Sequence, residues 1–266
     1  MKARIVIILI FILILLVPIT IHAKEKSPID KLNSISDEAL QMVRSSRYDD
    51  ANKLLLYFSE EFISMDQRPF TMDELRIVTV AHNEALEATS SETTMEHSEI
   101  VNKVTKFRLV MDAINTGHQP LWTEMEGQVL MVLGGVKEAV KTGQTEKFHE
   151  QLNSFLSLYQ IIYPSLKLDI RSEKVQRLDT KINYIDQYRP KILSEESSMK
   201  DLDSIESDLK SIFEGMTEDE TDPSIWWVII TTGSIIVSTL SYVGLRKYFG
   251  EKNQKREQNR SRELKD

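Results

Sequence analysis

In a chain without cysteine, the groups able to do chemistry are histidines, hydroxyls, carboxylates and amines, and their spacing decides which reactions are within reach. His82, His97, His118 and His149 never stand three or four residues apart, so no HExxH-type ligand pair falls on one helical turn. An isolated histidine on a helix is more often packed than ligating. Lys141-Thr142-Gly143 and Ser207-Asp208-Leu209-Lys210 imitate two signatures of penicillin-recognising serine enzymes. They come in the wrong order, the S-D-N element is missing, and both lie in helical sequence, so the match fails. Adjacent carboxylates such as Asp49-Asp50, Glu60-Glu61 and Glu195-Glu196 sit in polar stretches, whereas a general acid needs a pKa raised by burial. No G-x-S-x-G, P-loop or dinucleotide fingerprint occurs, and Gly134-Gly135 falls within an apolar helix where close packing is the natural use. The expectation is a non-enzymatic protein with no catalytic residue, cofactor or metal.

A more specific pattern lies in the run from Ile225 to Leu245, where Thr231, Ser234, Ser238 and Ser241 recur at steps of three, four and three. On a helix these hydroxyls share one face, with large Ile and Val residues around the rest. Such a face lets apolar helices approach and hydrogen-bond, so it is a candidate packing surface for a second copy or another membrane protein. The alternative is that each hydroxyl bonds the carbonyl four residues earlier and faces lipid.

The element carrying this face has no charged residue across residues 225–245 and would be about 31 Å long as a helix, close to the thickness of a bilayer's hydrocarbon core. Trp226 and Trp227 at one end, with Arg246, Lys247 and Tyr248 at the other, suit membrane-interface anchors. A second apolar run, Ile5 to Ile21, follows Lys2 and Arg4 and reads as a signal peptide over residues 1–23. Ala23 favours cleavage there, while bulky Ile21 keeps an uncleaved anchor open. Residues 246–266 hold eight Lys/Arg against four Asp/Glu, which marks the cytoplasmic side. The expected order is therefore an exported domain over residues 24–213, an acidic stalk over 214–224, a transmembrane helix over 225–245 and a basic cytoplasmic tail over 246–266. The exported part carries 23 basic and 37 acidic residues, an acidity that disfavours nucleic acid as a partner.

Apolar spacing in the exported part is helical, which predicts an all-α fold of about seven to eight helices in hairpins, as a bundle or short solenoid, plus the C-terminal transmembrane helix. The first hairpin pairs Ile35–Ser45 with Asp49–Met65, and Thr71 with Glu74 forms a capping box for a helix over Met72–Ala88. Thr89 to Thr94 reads as a polar linker, followed by a helix from Met95 to Asn115. Leu121–Thr142, the most apolar stretch of this part, is expected to be central, and Thr145–Tyr163 to end at Pro164. Ser172–Tyr188 and Met199–Phe213 are two more amphipathic helices. A shift of 100 residues aligns Glu38-Ala39-Leu40 with Glu138-Ala139-Val140 and Arg47-Tyr48 with Lys147-Phe148, an echo of one helical hairpin in another.

The whole plan resembles the YpjB family of sporulation proteins from endospore-forming bacteria, most clearly over Tyr48–Phe62, Phe107–Trp122 and Asp222–Gly250. The resemblance implies a membrane location and a role connected with spore formation, and carries over no active-site residue, substrate or cofactor. The first functional reading is a membrane-anchored extracytoplasmic adaptor that binds another membrane or exported protein. A single-span sensor of a small molecule or wall fragment is the alternative, and a wall-active hydrolase the third.

Overall fold

The computed structural model describes residues 27–65, 70–115, 119–194, 197–217, 229–244 and 246–248. Residues 1–23, read from the sequence as a signal peptide, Trp226, Trp227 and most of the basic tail lie outside them. All regular structure among the described residues is helical, as the periodicity predicts.

The first helix, α1 (Pro28–Arg44), begins seven residues before the expected Ile35. Ser27 and Asp30 exchange hydrogen bonds of 3.1 and 2.9 Å in a capping box, and Pro28 opens the first turn. Asp in place of Glu or Gln at the third position hides this signal from a motif search. Helix α2 (Tyr48–Ser64) folds back on α1. Helix α3 (Met72–Ala88) starts at the expected Thr71/Glu74 box. Thr89, read as linker, is buried, bonds the Ala85 carbonyl and accepts from the Asn52 amide at 3.1 Å.

Helix α4 (His97–Asn115), rather than the expected Leu121–Thr142, is the central element: it packs on α1, α3, α6 and a 3-10 turn, η1 (Leu121–Met125). Seven consecutive residues, Phe107 to Ala113, are buried, which requires neighbours on every side. Helix α5 (Glu126–Lys141) packs chiefly on α6 (Thr145–Asp169) and leaves Met131 exposed. Total apolar content measures how much surface a helix must bury; it does not count the faces it buries. Pro164 does not end α6. The helix runs on for another turn because Ile161, Ile162 and Leu166 are buried, and that packing outweighs the backbone bond proline cannot make to the Gln160 carbonyl. Helices α7 (Ser172–Gln187), α8 (Arg189–Ser194) and α9 (Ser198–Thr217) follow.

The hairpin echo is real but its register is 97 residues. The α1–α2 and α5–α6 turns are superimposable bond for bond: Ser45, Ser46 and Arg47 donate to the carbonyls of Gln41, Val43 and Met42, and Thr142, Gly143 and Gln144 donate to those of Glu138, Val140 and Ala139. Ser46 and Gly143 both take positive φ, 58° and 67°, to close these turns. Burial follows the same offset, with Leu32, Ala39, Ala51, Leu55 and Phe58 matched by Val129, Val136, Phe148, Leu152 and Phe155. It continues into the third helix of each half, where Val78, Ala81, Ala85 and Ala88 match Val175, Leu178, Ile182 and Ile185. One residue is gained before the fourth, where Val104, Phe107 and Met111 match Leu202, Ile205 and Leu209. Even the polar link between third and fourth helices recurs, with its charge inverted. Glu84 accepts from Lys103 and Lys106 at 3.2 and 2.9 Å, and Lys181, 97 positions on, donates to Ser204 and Asp208 at 2.6 and 2.7 Å. Two four-helix units of common design thus stand in tandem, joined where α4 of the first meets α6 of the second.

Candidate functional site

The apolar C-terminal run forms helix α10, Ile229–Tyr248, 20 residues long. None of its apolar window is buried by the rest of the described chain: Ile235, Val237 and Leu240 are each more than 60% exposed. Thr231, Ser234, Ser238 and Ser241 lie on this helix within an arc of about 80° at 100° per residue. The Ser234 hydroxyl donates to the Ile230 carbonyl at 2.6 Å, and Thr239 to that of Ile235 at 2.7 Å. At these two positions the proton is used within the helix and the oxygen lone pairs are what a neighbour could engage. Arg246, Lys247 and Tyr248 close the helix, exposed.

The histidines take structural places. His82 is stacked on Phe58 and edge-on to Phe107, with ring centroids 5.0 and 5.3 Å away. Its Nε2 lies 2.9 Å from the Leu55 carbonyl, which fixes that nitrogen as the protonated one. His97 meets the Tyr48 hydroxyl at 2.6 Å, and His149 packs on Phe148. His118 lies outside the described residues. Among those residues no group of three His, Cys, Asp or Glu is placed to hold a metal ion. Lys141-Thr142-Gly143 ends α5 while Ser207 and Lys210 lie on α9.

Spacing does not reveal the junction of the two halves. Arg108, 8% exposed, donates to Asn33 at 2.8 Å and to Asp37 at 3.2 Å, tying α4 to α1. Asp112, one turn on, accepts the Leu121 backbone N–H at 2.7 Å and so fixes the start of η1. The fully buried Trp122 that follows donates its indole N–H to Asp169 at 2.6 Å, at the end of α6. Burial pushes the Asp169 carboxyl up to about 6; the nearby Asp112 adds to this and the Trp122 donor opposes it.

Beside this junction lies a cavity of about 150 Å³ between α3, α4 and α6. Ile77, Val80, Ala81 and Pro164 give it an apolar floor, and Tyr163 one wall. Arg76, Lys106 and Lys167 are its charged lining residues, and no carboxylate joins them. A second cavity, about 320 Å³, shares Lys106 and is polar, with Ser98, Glu99, Asn102, Lys103, Ser157 and Gln160 around it. A third of similar size lies between α2 and α3 over His82, lined by Phe62, Ile63 and Leu75 among others. None of these was visible in the sequence, because each is made by the packing of separate helices, and the first two by helices distant in the chain.

The sequence profile of the family described as sporulation protein YpjB (SpoYpjB) matches residues 29–257. The chain belongs to the YpjB family of sporulation proteins. The YpjB protein of Bacillus subtilis (strain 168), itself described as uncharacterized, is 34% identical over 235 residues, covering 87% of this chain and 89% of that one. No solved structure matches the chain. The YpjB match opens at Ile29, the second residue of α1, and runs past the end of α10. Both four-helix units and the apolar helix are therefore within what defines the family.

Proposed function

We propose that this sporulation-family protein is a single-span membrane protein whose helical domain sits outside the cytoplasm and binds another protein there. The observation that carries the reading is α10, whose apolar surface the described chain leaves wholly uncovered. At about 25 cal/mol per Å² such a surface is costly in water, so lipid or a partner helix must cover it. The basic flank at Arg246 and Lys247 supports a cytoplasmic C-terminus. Two tandem four-helix units with cavities along their junction suit a domain that holds peptide or helical ligands. The small-molecule sensor reading draws on the same junction cavity. In-cell crosslinking during sporulation, followed by recovery of partners, tests the proposal: specific protein adducts from the helical domain are expected, and adducts to this chain alone would remove the adaptor reading.

A further inference from the structure

We propose that the cavity between α3, α4 and α6 binds the free C-terminal end of a peptide segment whose last residue is apolar. The inference rests on the protein-binding reading above and names the site and chemistry of the partner. Charge is the first argument. In a domain with a large acidic excess, the cavity is lined by three cations and no carboxylate. Their existing partners do not use them up: Glu84 is shared by two ammonium groups, Lys103 and Lys106, and Arg76 meets Asp73 only at 3.5 Å on an exposed surface. Lys167 has its ammonium 5.6 Å from the centre of the Tyr163 ring, a contact that leaves its charge unneutralised. Positive charge is therefore left over at Arg76, Lys106 and Lys167, the kinds of side chain that bind carboxylate or phosphate.

Size and polarity narrow the ligand. A cavity of about 150 Å³ holds a benzene-sized group and is below the volume that cofactors and drug-sized molecules occupy, so one apolar side chain fills its floor. The anion must then be attached close to that side chain, as an α-carboxylate is. The adjoining cavity across Lys106 offers the hydroxyls of Ser98 and Ser157 and the amides of Asn102 and Gln160, with one carboxylate, Glu99, and one further ammonium, Lys103, beside them. A peptide backbone pairs with such groups, whereas a fatty acyl chain would strip them of water and leave them unpaired. Recognition of a terminal carboxylate together with the side chain beside it is an established mode of peptide capture.

The position in the fold is the independent observation. Helix α6 has 25 residues where its counterpart α2 has 17, and the difference is the segment beyond residue 161. Tyr163, Pro164 and Lys167, the whole of α6's contribution to the cavity, lie on that added segment. The duplicated unit has been extended at the place where the cavity forms.

The test uses the full chain in lipid nanodiscs and a panel of acetylated pentapeptides ending in Leu, Phe, Val or Ile, each as free acid and as amide, with decanoate as the acyl probe. At least one free-acid peptide is expected to bind, with its amide weaker by about tenfold or more, since one charge-assisted pair is lost. R76Q and K167Q are each expected to weaken it by about tenfold, and V80W to abolish binding by filling the floor. Arg76, Val80 and Lys167 are exposed enough that these variants keep the fold, which circular dichroism checks. Equal affinity for acid and amide, tighter binding of decanoate than of every peptide, or no binding across the panel would each overturn the proposal. Loss of peptide binding in V80W with unchanged partner recovery in cells would also overturn this cavity as the partner site, while leaving the wider protein-binding reading in place.

Discussion

Asp169 shows how one side chain at the junction sets a pH response. Its folded-state pKa, about 6, stands above the ordinary aspartate value of 3.8, so the unfolded chain releases this proton at lower pH than the folded one. The contribution of Asp169 to stability is therefore greatest below about pH 4 and falls as pH rises through about 6. Asp169→Asn keeps a carbonyl to accept the Trp122 N–H and removes the ionisation. The variant should match wild type near pH 3.5 and exceed it by about 1–2 kcal/mol at pH 7.5, after discounting for partial exposure. Urea unfolding followed by circular dichroism at both pH values measures this; parallel pH dependence in the two proteins would refute it. Ser165 makes a second, pH-independent case. Its hydroxyl is buried without a hydrogen-bond partner among the described residues, next to Pro164. Ser165→Ala removes a desolvated group at little loss of volume and should stabilise by about 1 kcal/mol in the same measurement. A destabilised variant would mean the hydroxyl is satisfied in solution.

Helices were legible where their signals are local and illegible where partners decide. The Thr71/Glu74 box located the start of α3 to the residue, and Ser46-Arg47-Tyr48 located the first turn. Pro164 misled because a proline's cost of one backbone bond is a local term, while the burial of Ile162 and Leu166 that overrides it is tertiary. Matching residue types align the repeat at a register of 100; the turn hydrogen bonds and burial fix it at 97. The cavities depend on that tertiary register, so the charges lining them, Arg76, Lys106 and Lys167, carried no sequence signal. For α10 the position is reversed: the hydroxyl face follows from spacing alone, and only its use is open to experiment. Ser234→Ile with Ser238→Ile removes two hydroxyls from that face while keeping the helix apolar. If the face packs against a neighbour at about 0.6 kcal/mol per bond, crosslinking of the intact protein in membranes should fall roughly three- to sevenfold. Unchanged crosslinking would assign the face to lipid.

At the scale of the whole chain, charge and apolar runs together are the basis of the proposed topology. Residues 24–224 hold 37 acidic and 23 basic residues, and residues 246–266 hold four and eight, with the uncharged run between them. Basic residues within about 15–20 positions of a span are retained on the cytoplasmic side, while acidic residues have little influence on orientation. The proposal of a cytoplasmic tail and an exported acidic domain rests on this asymmetry. The absence of cysteine gives this a direct measurement, since an introduced thiol is the only one in the protein. Ser91 is exposed in the connection between α3 and α4, so Ser91→Cys should not disturb the core. A membrane-impermeant maleimide applied to intact cells should label Ser91→Cys and spare Ser261→Cys, and permeabilisation should make both equally reactive. Labelling of Ser261→Cys alone in intact cells would place the helical domain in the cytoplasm. The charge argument would then have failed, and the partner would have to be sought on the other side of the membrane.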